Sequence, residues 1–373
     1  MSPSVRPQIV VSAVNVSEMG PLTILKEVLT HLAGRYAGDY DVVALVHRRS
    51  LFDIPRIVYL EFPQIKGSWL RRLKFEYFDL KGISRGLNAE LWLSLHDMTP
   101  NVTAGCQAVY CHNPSPFCPF RWRDALHDPT FGAFTLLYRF LYAINIKRND
   151  YVVVQQNWMR EQFKSRYGVK KVIVAHPGVR SAPMRLSEVH QPSPDGATRF
   201  FFPSYPRVFK NAELALEAAA ILERGGASKF ELWLTFNGTE NSYAADLVRR
   251  YGGVKSVQFL GLLSRSEVFD RYGQAECLLF PSRLESWGLP ISEFKPFHKP
   301  ILAADLPYAR ESVGSYERVA FFDPKDARKL AQLMKSVIEG TAEFESVHAS
   351  PIEPPFVPDW AGLFEMILPH ANK

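Results

Sequence analysis

The chain has 373 residues, 47% hydrophobic and 22% charged, with a net charge of +6. At about 100–200 residues per domain, that length predicts two or three domains. The composition excludes a disordered chain, a collagen-like fibre and a small disulfide scaffold. Residues 1–190 hold 24 Lys and Arg against 15 Asp and Glu, a net +9, and residues 191–373 sum to −3. The asymmetry suggests an anionic partner for the basic half, with nucleic acid and anionic membrane both open.

No run of 18 apolar residues occurs, so no membrane-spanning helix is predicted. The opening MSPSVRPQIVVSAVNV lacks the basic start, apolar middle and cleavage site of a signal peptide. The expected location is cytoplasmic. Cys106, Cys111, Cys118 and Cys277 include no CxxC pair, which argues for reduced, mostly buried thiols and against a structural zinc site.

Strand and helix signals alternate along the chain. Short β-branched or apolar runs at Val10–Val14, Asp41–Val46, Leu91–Leu95, Ala108–Cys111, Tyr151–Val154 and Lys171–Ala175 read as strands. Helical spacing fills 21–32, 68–82, 132–145 and 157–167, with Asn157 as an acceptable N-cap for the last. The turn-rich His190–Arg199 reads as an interdomain linker. A second series follows, with strands at Phe200–Pro203, Glu231–Thr235, Val257–Leu260, Cys277–Phe280 and Ile301–Ala303. Its helices fall at 212–222, 243–251, 264–272 and 325–338. A proline-rich connector, Ser350–Pro358, leads to an amphipathic segment at Asp359–Leu368. The pattern predicts an α/β chain of two Rossmann-like domains with parallel sheets. The boundaries are 1–190, 195–350 and a tail at 351–373. Neither half has GxGxxG after its first strand, and no GxxxxGK[ST] occurs, so dehydrogenase and P-loop readings are disfavoured.

Three stretches at strand ends carry candidate chemistry. In Pro281–Glu311, Glu285 precedes a turn, Gly288 permits close backbone approach, and Glu293 lies just inside a helix beginning near Pro290. Free backbone amides at such a helix start suit an anion, and a carboxylate one turn in suits a pair of hydroxyls. In Phe201–Ala219, Arg207 and Lys210 fall between a strand and a helix. A guanidinium fork and a mobile ammonium together suit a diphosphate. In Ala108–Phe117, His112 follows a strand, and His96 with Asp97 lies in a similar loop. A metal pair from His96 and His112 is not demanded by their spacing. The loop Asn15–Leu25 keeps Gly20, whose backbone N–H could reach a phosphate.

The Glu285-to-Glu293 stretch resembles the E-x7-E motif of glycosyltransferase family 4, which has the GT-B fold, two Rossmann-like domains facing across a cleft. The resemblance covers most of residues 10–340 and is most specific over 200–311. It implies an N-terminal acceptor domain, a C-terminal donor domain, and a terminal helix that packs back on the first domain. It implies retaining transfer of a hexose or deoxyhexose from a UDP- or GDP-sugar to a hydroxyl of a growing glycan, such as a lipid-linked surface polysaccharide. No metal or other cofactor is expected if Arg207 and Lys210 balance the diphosphate. Carried onto this sequence, Glu285 contacts the donor sugar and Glu293 the ribose. The amides near Gly288 and Leu289, with Gly20, hold phosphate or sugar. His112 polarises a sugar hydroxyl, and His96 and Asp97 line the acceptor side. FLGLLS, Phe259–Ser264, resembles the stretch that meets the base.

Pro296 departs from the pattern and should kink or shorten the motif helix. Trp69–Ile83 and Phe134–Asp150 mix aromatic and basic residues at helical spacing, which suits an anionic membrane face. That raises the prospect of a peripheral protein at the inner face of the cell membrane. The competing reading is a non-catalytic nucleotide-sugar-binding subunit of a glycan assembly complex. No nucleic-acid motif is present.

Overall fold

The computed structural model describes residues 6–17, 19–177, 196–227, 229–346 and 351–368. Most of the expected linker therefore lies outside the described residues, and its last two positions, Thr198 and Arg199, already belong to a strand. The chain divides into two compact units. One holds Met1–Phe117, Leu137–Gly178 and Ile352–Lys373, and the other Cys118–Leu136 and Val179–Pro351. Residues 118–136, read from sequence as part of the first domain, thus pack with the second.

The first unit is built on eight strands: β1 (Gln8–Ala13), β2 (Asp41–Val46), β3 (Ile57–Glu61), β4 (Ala89–Ser94), β5 (Ala104–Cys111), β6 (Tyr151–Val154), β7 (Val172–Ala175) and β14 (Phe356–Val357). Their order is β14-β7-β6-β5-β4-β1-β2-β3, and every neighbouring pair is parallel. A sheet covered on both faces needs near-continuous apolar strands, which the fully buried Val10, Val11, Leu91, Leu93, Val152 and Val153 supply. The strand order reverses between β1 and β4, and open α/β sheets bind ligands beyond the strand ends at such a switch point. The terminal helix Trp360–Ile367, capped by Asp359, buries Leu363, Phe364 and Ile367 in the same core as Leu29 and Leu32 of helix Met19–Arg35. Each such side chain contributes roughly 1.5–3 kcal/mol of burial. Arg160 donates to the Glu353 carbonyl at 2.6 Å, fixing the connector that leads to β14.

The second unit holds β8 (Thr198–Phe202), β9 (Phe230–Leu234), β10 (Val257–Phe259), β11 (Cys277–Phe280), β12 (Ile301–Ala304) and β13 (Val319–Phe322). The all-parallel order β10-β9-β8-β11-β12-β13 is the 3-2-1-4-5-6 Rossmann arrangement, with its switch between β8 and β11.

Strands β3, β13 and β14 and the helix Pro307–Val313 had no counterpart in the sequence reading. β3 is an edge strand with no fully buried residue, although its sequence, IVYLE, is largely apolar. β14 has two residues and exists only through its pairing with β7. Helix Asn157–Tyr167 is entered from Gln156, not Asn157. The Asn157 side chain instead accepts from Arg160 Nε at 2.9 Å. Among the described residues, no helix is long and apolar enough to cross a membrane.

Candidate functional site

In the second unit, the loops after β8 and β11 converge at the switch point. Arg207 precedes a 3-10 turn, Val208–Lys210, and Asn211 closes it in the left-handed region, φ 63°. The loop is pinned at several points. Asn211 Nδ2 donates to the Pro281 and Pro324 carbonyls at 3.1 and 2.9 Å, and Asn241 donates to the Pro206 carbonyl at 2.7 Å. The backbone N–H of Arg283 donates to the Phe209 carbonyl at 2.7 Å, stitching the two loops together. Lys210 Nζ lies 2.6 Å from Glu285 Oε1, and both side chains are largely buried. The pair predicted to face diphosphate and sugar is therefore in direct contact. The Phe209 ring lies 5.9 Å from the Arg207 guanidinium and 5.6 Å from Lys210 Nζ.

Arg207 has a partner that the sequence did not suggest. Its Nε lies 2.6 Å from Asp128 Oδ2. Four residues earlier, Asp124 takes Arg283 at 3.0 Å through both oxygens. Two carboxylates from residues 118–136 thus neutralise two guanidiniums of the switch loops. A lone i, i+4 acidic pair at a helix start gives no sign of its partners, so sequence reading had no signal for them.

Gly288 has φ 86° and opens the helix Leu289–Phe294. A Cβ there would lie 3.3 Å from the Phe280 ring, so both conformation and packing demand glycine. The helix lasts six residues, and Lys295–Phe297 continues as a 3-10 turn that His298 ends at φ 54°. Pro296 shortens the helix as predicted, because it has no N–H to continue the α pattern. Two lysines brace this region. Lys295 Nζ donates to the Ser312 carbonyl at 2.8 Å, near the end of helix Pro307–Val313. The buried Lys299 Nζ donates to the Gly273 and Ala275 carbonyls at 2.6 and 2.7 Å, at the end of helix Arg265–Gln274. A cation at a helix C-terminus complements its dipole. Burial lowers the pKa of both.

Glu293 lies on this short helix and is held from two sides. Tyr272 OH donates to Oε2 at 3.2 Å, and Arg265 lies 3.3 Å from Oε1. Burial pushes its carboxyl above the ordinary range, opposed by Arg265 and the Tyr272 hydrogen bond. Tyr272 is fully buried, its hydroxyl kept protonated by burial and by the adjacent carboxylate. At the end of β9, Glu240 accepts from the Asn237 and Gly238 amides, both at 2.9 Å. In FLGLLS, Gly261 turns at φ 76° and Leu262 is exposed.

In the first unit, the ends of β1, β4 and β5 carry a separate cluster. Asp97 sits at φ 68° after β4. Its Oδ1 accepts from the His112 and Asn113 amides at 2.6 and 2.9 Å and from Tyr142 OH at 2.9 Å. Its Oδ2 lies 3.5 Å from His112 Nε2. Asp97 is nearly buried. It was expected to line the acceptor side, and it instead anchors the loop that presents the partly exposed His112.

His96 requires a plain correction, since a residue with 1% exposure cannot line an acceptor surface. Its Nδ1 is 2.8 Å from the Ser12 carbonyl, and its Nε2 is 2.7 Å from Glu76 Oε1. A carbonyl oxygen only accepts, so Nδ1 donates to it. Glu76 reaches this point from a π-helical turn, Phe75–Asp79. Such turns displace side chains from the regular helical register. Arg72, one turn earlier, donates to the His96 carbonyl at 2.9 Å. Gly20 lies in the first turn of helix Met19–Arg35, and a Cβ there would meet nothing within 4 Å.

The fold and these sites define a class: two Rossmann-like units of parallel sheet, the GT-B fold. It resembles that of bacterial polysaccharide glycosyltransferases. Residues 188–348 match the family model described as glycosyl transferases group 1. Among solved structures, the chain is similar to WaaG, a glycosyltransferase involved in lipopolysaccharide biosynthesis, at TM-score 0.65 and 13% identity, covering 89% of this chain and 90% of that one. Sucrose-phosphate synthase from Thermosynechococcus elongatus gives TM-score 0.64 at 13% identity, over 90% of each chain. Anabaena HepE in complex with UDP-glucose gives 0.62 at 14% identity, again over 90% of each. No curated protein sequence matches.

Proposed function

We propose that the chain is a retaining glycosyltransferase that moves a hexose or deoxyhexose from a UDP- or GDP-sugar to a hydroxyl of a growing surface glycan. One observation carries this reading. Arg207 and the Lys210–Glu285 pair meet at the β8/β11 switch point, inside the residues that match the group 1 family. The structure of HepE with UDP-glucose lends it chemical plausibility.

In this reading, Arg207 and Lys210 neutralise the charge that builds on the departing diphosphate. Glu285 takes a hydroxyl of the donor sugar, and Glu293 the ribose diol. The amides of Gly288 and Leu289 hold phosphate or sugar, and Gly20 lends its N–H to a phosphate. His112 polarises a sugar hydroxyl, while Asp97 keeps it in place. The anomeric carbon passes through an oxocarbenium-like transition state. The acceptor attacks on the face the leaving phosphate departs from, and that phosphate takes its proton. Donor entry also requires Arg207 to exchange the Asp128 carboxylate for phosphate.

The test is a panel of UDP- and GDP-sugars, screened first for thermal stabilisation and then for transfer to glycan acceptors. Stabilisation by one donor, with transfer that R207A abolishes, supports the assignment. Donor binding without turnover on any acceptor would favour a nucleotide-sugar-binding subunit.

A further inference from the structure

Three cations of the switch loops each meet a carboxylate. Lys210 pairs with Glu285, Arg207 with Asp128 and Arg283 with Asp124. Only the first pair is made by the switch loops themselves. The other two carboxylates come from residues 118–136, which belong to the second unit although first-unit residues flank them in sequence. At none of these three cations would an entering diphosphate meet uncompensated positive charge, and Asp124 and Asp128 would repel it.

The segment that brings them is lightly held. From Cys118 to Thr130 no residue is buried, and Phe120, Trp122 and Leu126 are exposed. Its apolar anchor, Phe131, stands at one end, with its ring 4.9 Å from that of Phe209. Between the ends, the hold is polar. Arg283 Nη2 reaches both Asp124 oxygens at 3.0 Å, and Arg207 Nε reaches Asp128 Oδ2 at 2.6 Å. Partly exposed ion pairs of this kind are weak and give way to a better anion. The segment keeps its own shape when they break. Asp128 Oδ1 accepts from the Phe131 amide at 2.9 Å, so its cap on helix Pro129–Ala143 survives the loss of Arg207. The Asp128 amide donates to the Asp124 carbonyl at 2.8 Å, and Gly132 lets Ala125 pack closely, since a Cβ there would lie 2.7 Å from the Ala125 Cβ.

We infer that residues 118–130 form a strap whose carboxylates compete with the donor's diphosphate. Asp128 and Asp124 take Arg207 and Arg283 as phosphate oxygens would, and a bound nucleoside diphosphate releases the strap. The inference rests on the reading of the switch loops as the diphosphate site, and it adds Arg283 to that site. Arg283 Nη2 also donates to the Val208 carbonyl at 2.8 Å, which holds the guanidinium against the turn that carries Lys210. Its Nε is sealed from solvent with no acceptor. A buried donor left unmatched is costly, and a phosphate offers more oxygens to a guanidinium fork than one carboxylate does. The strap thus sets a threshold for occupancy: only an anion that outbids both carboxylates opens the site.

The experiment is hydrogen exchange of the full chain, read by mass spectrometry over residues 121–132, with binding of UDP and GDP measured in parallel by calorimetry. Saturating nucleotide should speed exchange of these amides by about fivefold or more, while slowing it in the loops after β8 and β11. A ligand that merely rigidified the chain would slow both. D124N/D128N should speed the strap amides with no nucleotide added, by about fivefold per pair lost, and nucleotide should then add little. D124N alone leaves the helix cap untouched, should give the change of one pair, and keeps the test open if the double variant is unstable. If UDP or GDP binds and strap exchange stays flat or slows, the inference is overturned and the donor reading stands. If neither binds, the donor reading falls and the inference falls with it. Wild-type strap exchange in both variants overturns the inference as well.

Discussion

Both units carry a topological switch point, and they fill it in opposite ways. In the second unit, Lys210 and Glu285 bridge the loops after β8 and β11 while each keeps some contact with solvent. In the first, His96 and Glu76 are wholly buried, and His96 ties the end of β4 to the Ser12 carbonyl of β1. An ion pair that solvent can reach can exchange its partner for a ligand at modest cost. A buried pair cannot, because separating it strands a charge in a low-dielectric interior. The second switch therefore keeps a pair that is open to exchange, while the first is built to hold, and what it holds is the loop that presents His112.

Substitutions can break this comparison, beginning with the largest effect. E76A leaves His96 without its partner and should cost about 3–5 kcal/mol of stability, read by urea unfolding. A loss under about 1 kcal/mol would mean that the pair holds nothing. K210A should lower transfer by about 10²–10³-fold, with a much smaller effect on stability, because it removes charge stabilisation from the departing diphosphate. If K210A instead unfolds the chain while E76A is silent, the contrast is reversed.

D97N sharpens the picture inside the first unit. It weakens an acceptor of two amides and a tyrosine hydroxyl, and should cost about 1–3 kcal/mol. Transfer should fall while calorimetric binding of UDP or GDP stays unchanged. D128N frees Arg207 and should tighten binding of the preferred nucleoside diphosphate by about fivefold, in line with one partly exposed ion pair. Unchanged affinity would show that Asp128 does not compete for that guanidinium.

The smallest effect concerns pH. Burial raises the Glu293 pKa, so the folded chain holds this proton more tightly than the unfolded chain does. The resulting stability is fully present below the ordinary carboxylate value and is lost as pH rises through the folded one. Relative to wild type, E293Q should therefore gain stability as pH rises through that window, by about 1–2 °C in Tm. A difference that stays flat with pH would remove Glu293 as the titrating group.

The buried strands were legible because a sheet covered on both faces demands unbroken apolar runs, as at Asp41–Val46 and Cys277–Phe280. The shortened motif helix was legible from Pro296 alone. The two-residue β14 was not, since its existence depends on its pairing with β7 rather than on local pattern. Arg207, Lys210, Glu285 and Glu293 were chosen as candidates from their local motifs and the resemblance those motifs carry. Their partners Asp128, Arg265 and Tyr272 were not, because the contacts span up to 79 residues and leave no local signature. His96 was misplaced for a related reason. A histidine after a strand looks the same whether it faces solvent or is sealed over, and here the π-helical turn brings Glu76 onto it.

The order of apolar runs, turn formers and breakers along the chain fixed two parallel-sheet domains and the loops that bear the donor-site candidates, because those features act within a few residues of themselves. Burial and pairing were settled only by the folded chain. Whether a charge is stranded, partnered or open to exchange depends on groups brought from distant segments, and the free energy of a charge is set by its surroundings rather than by its place in the sequence.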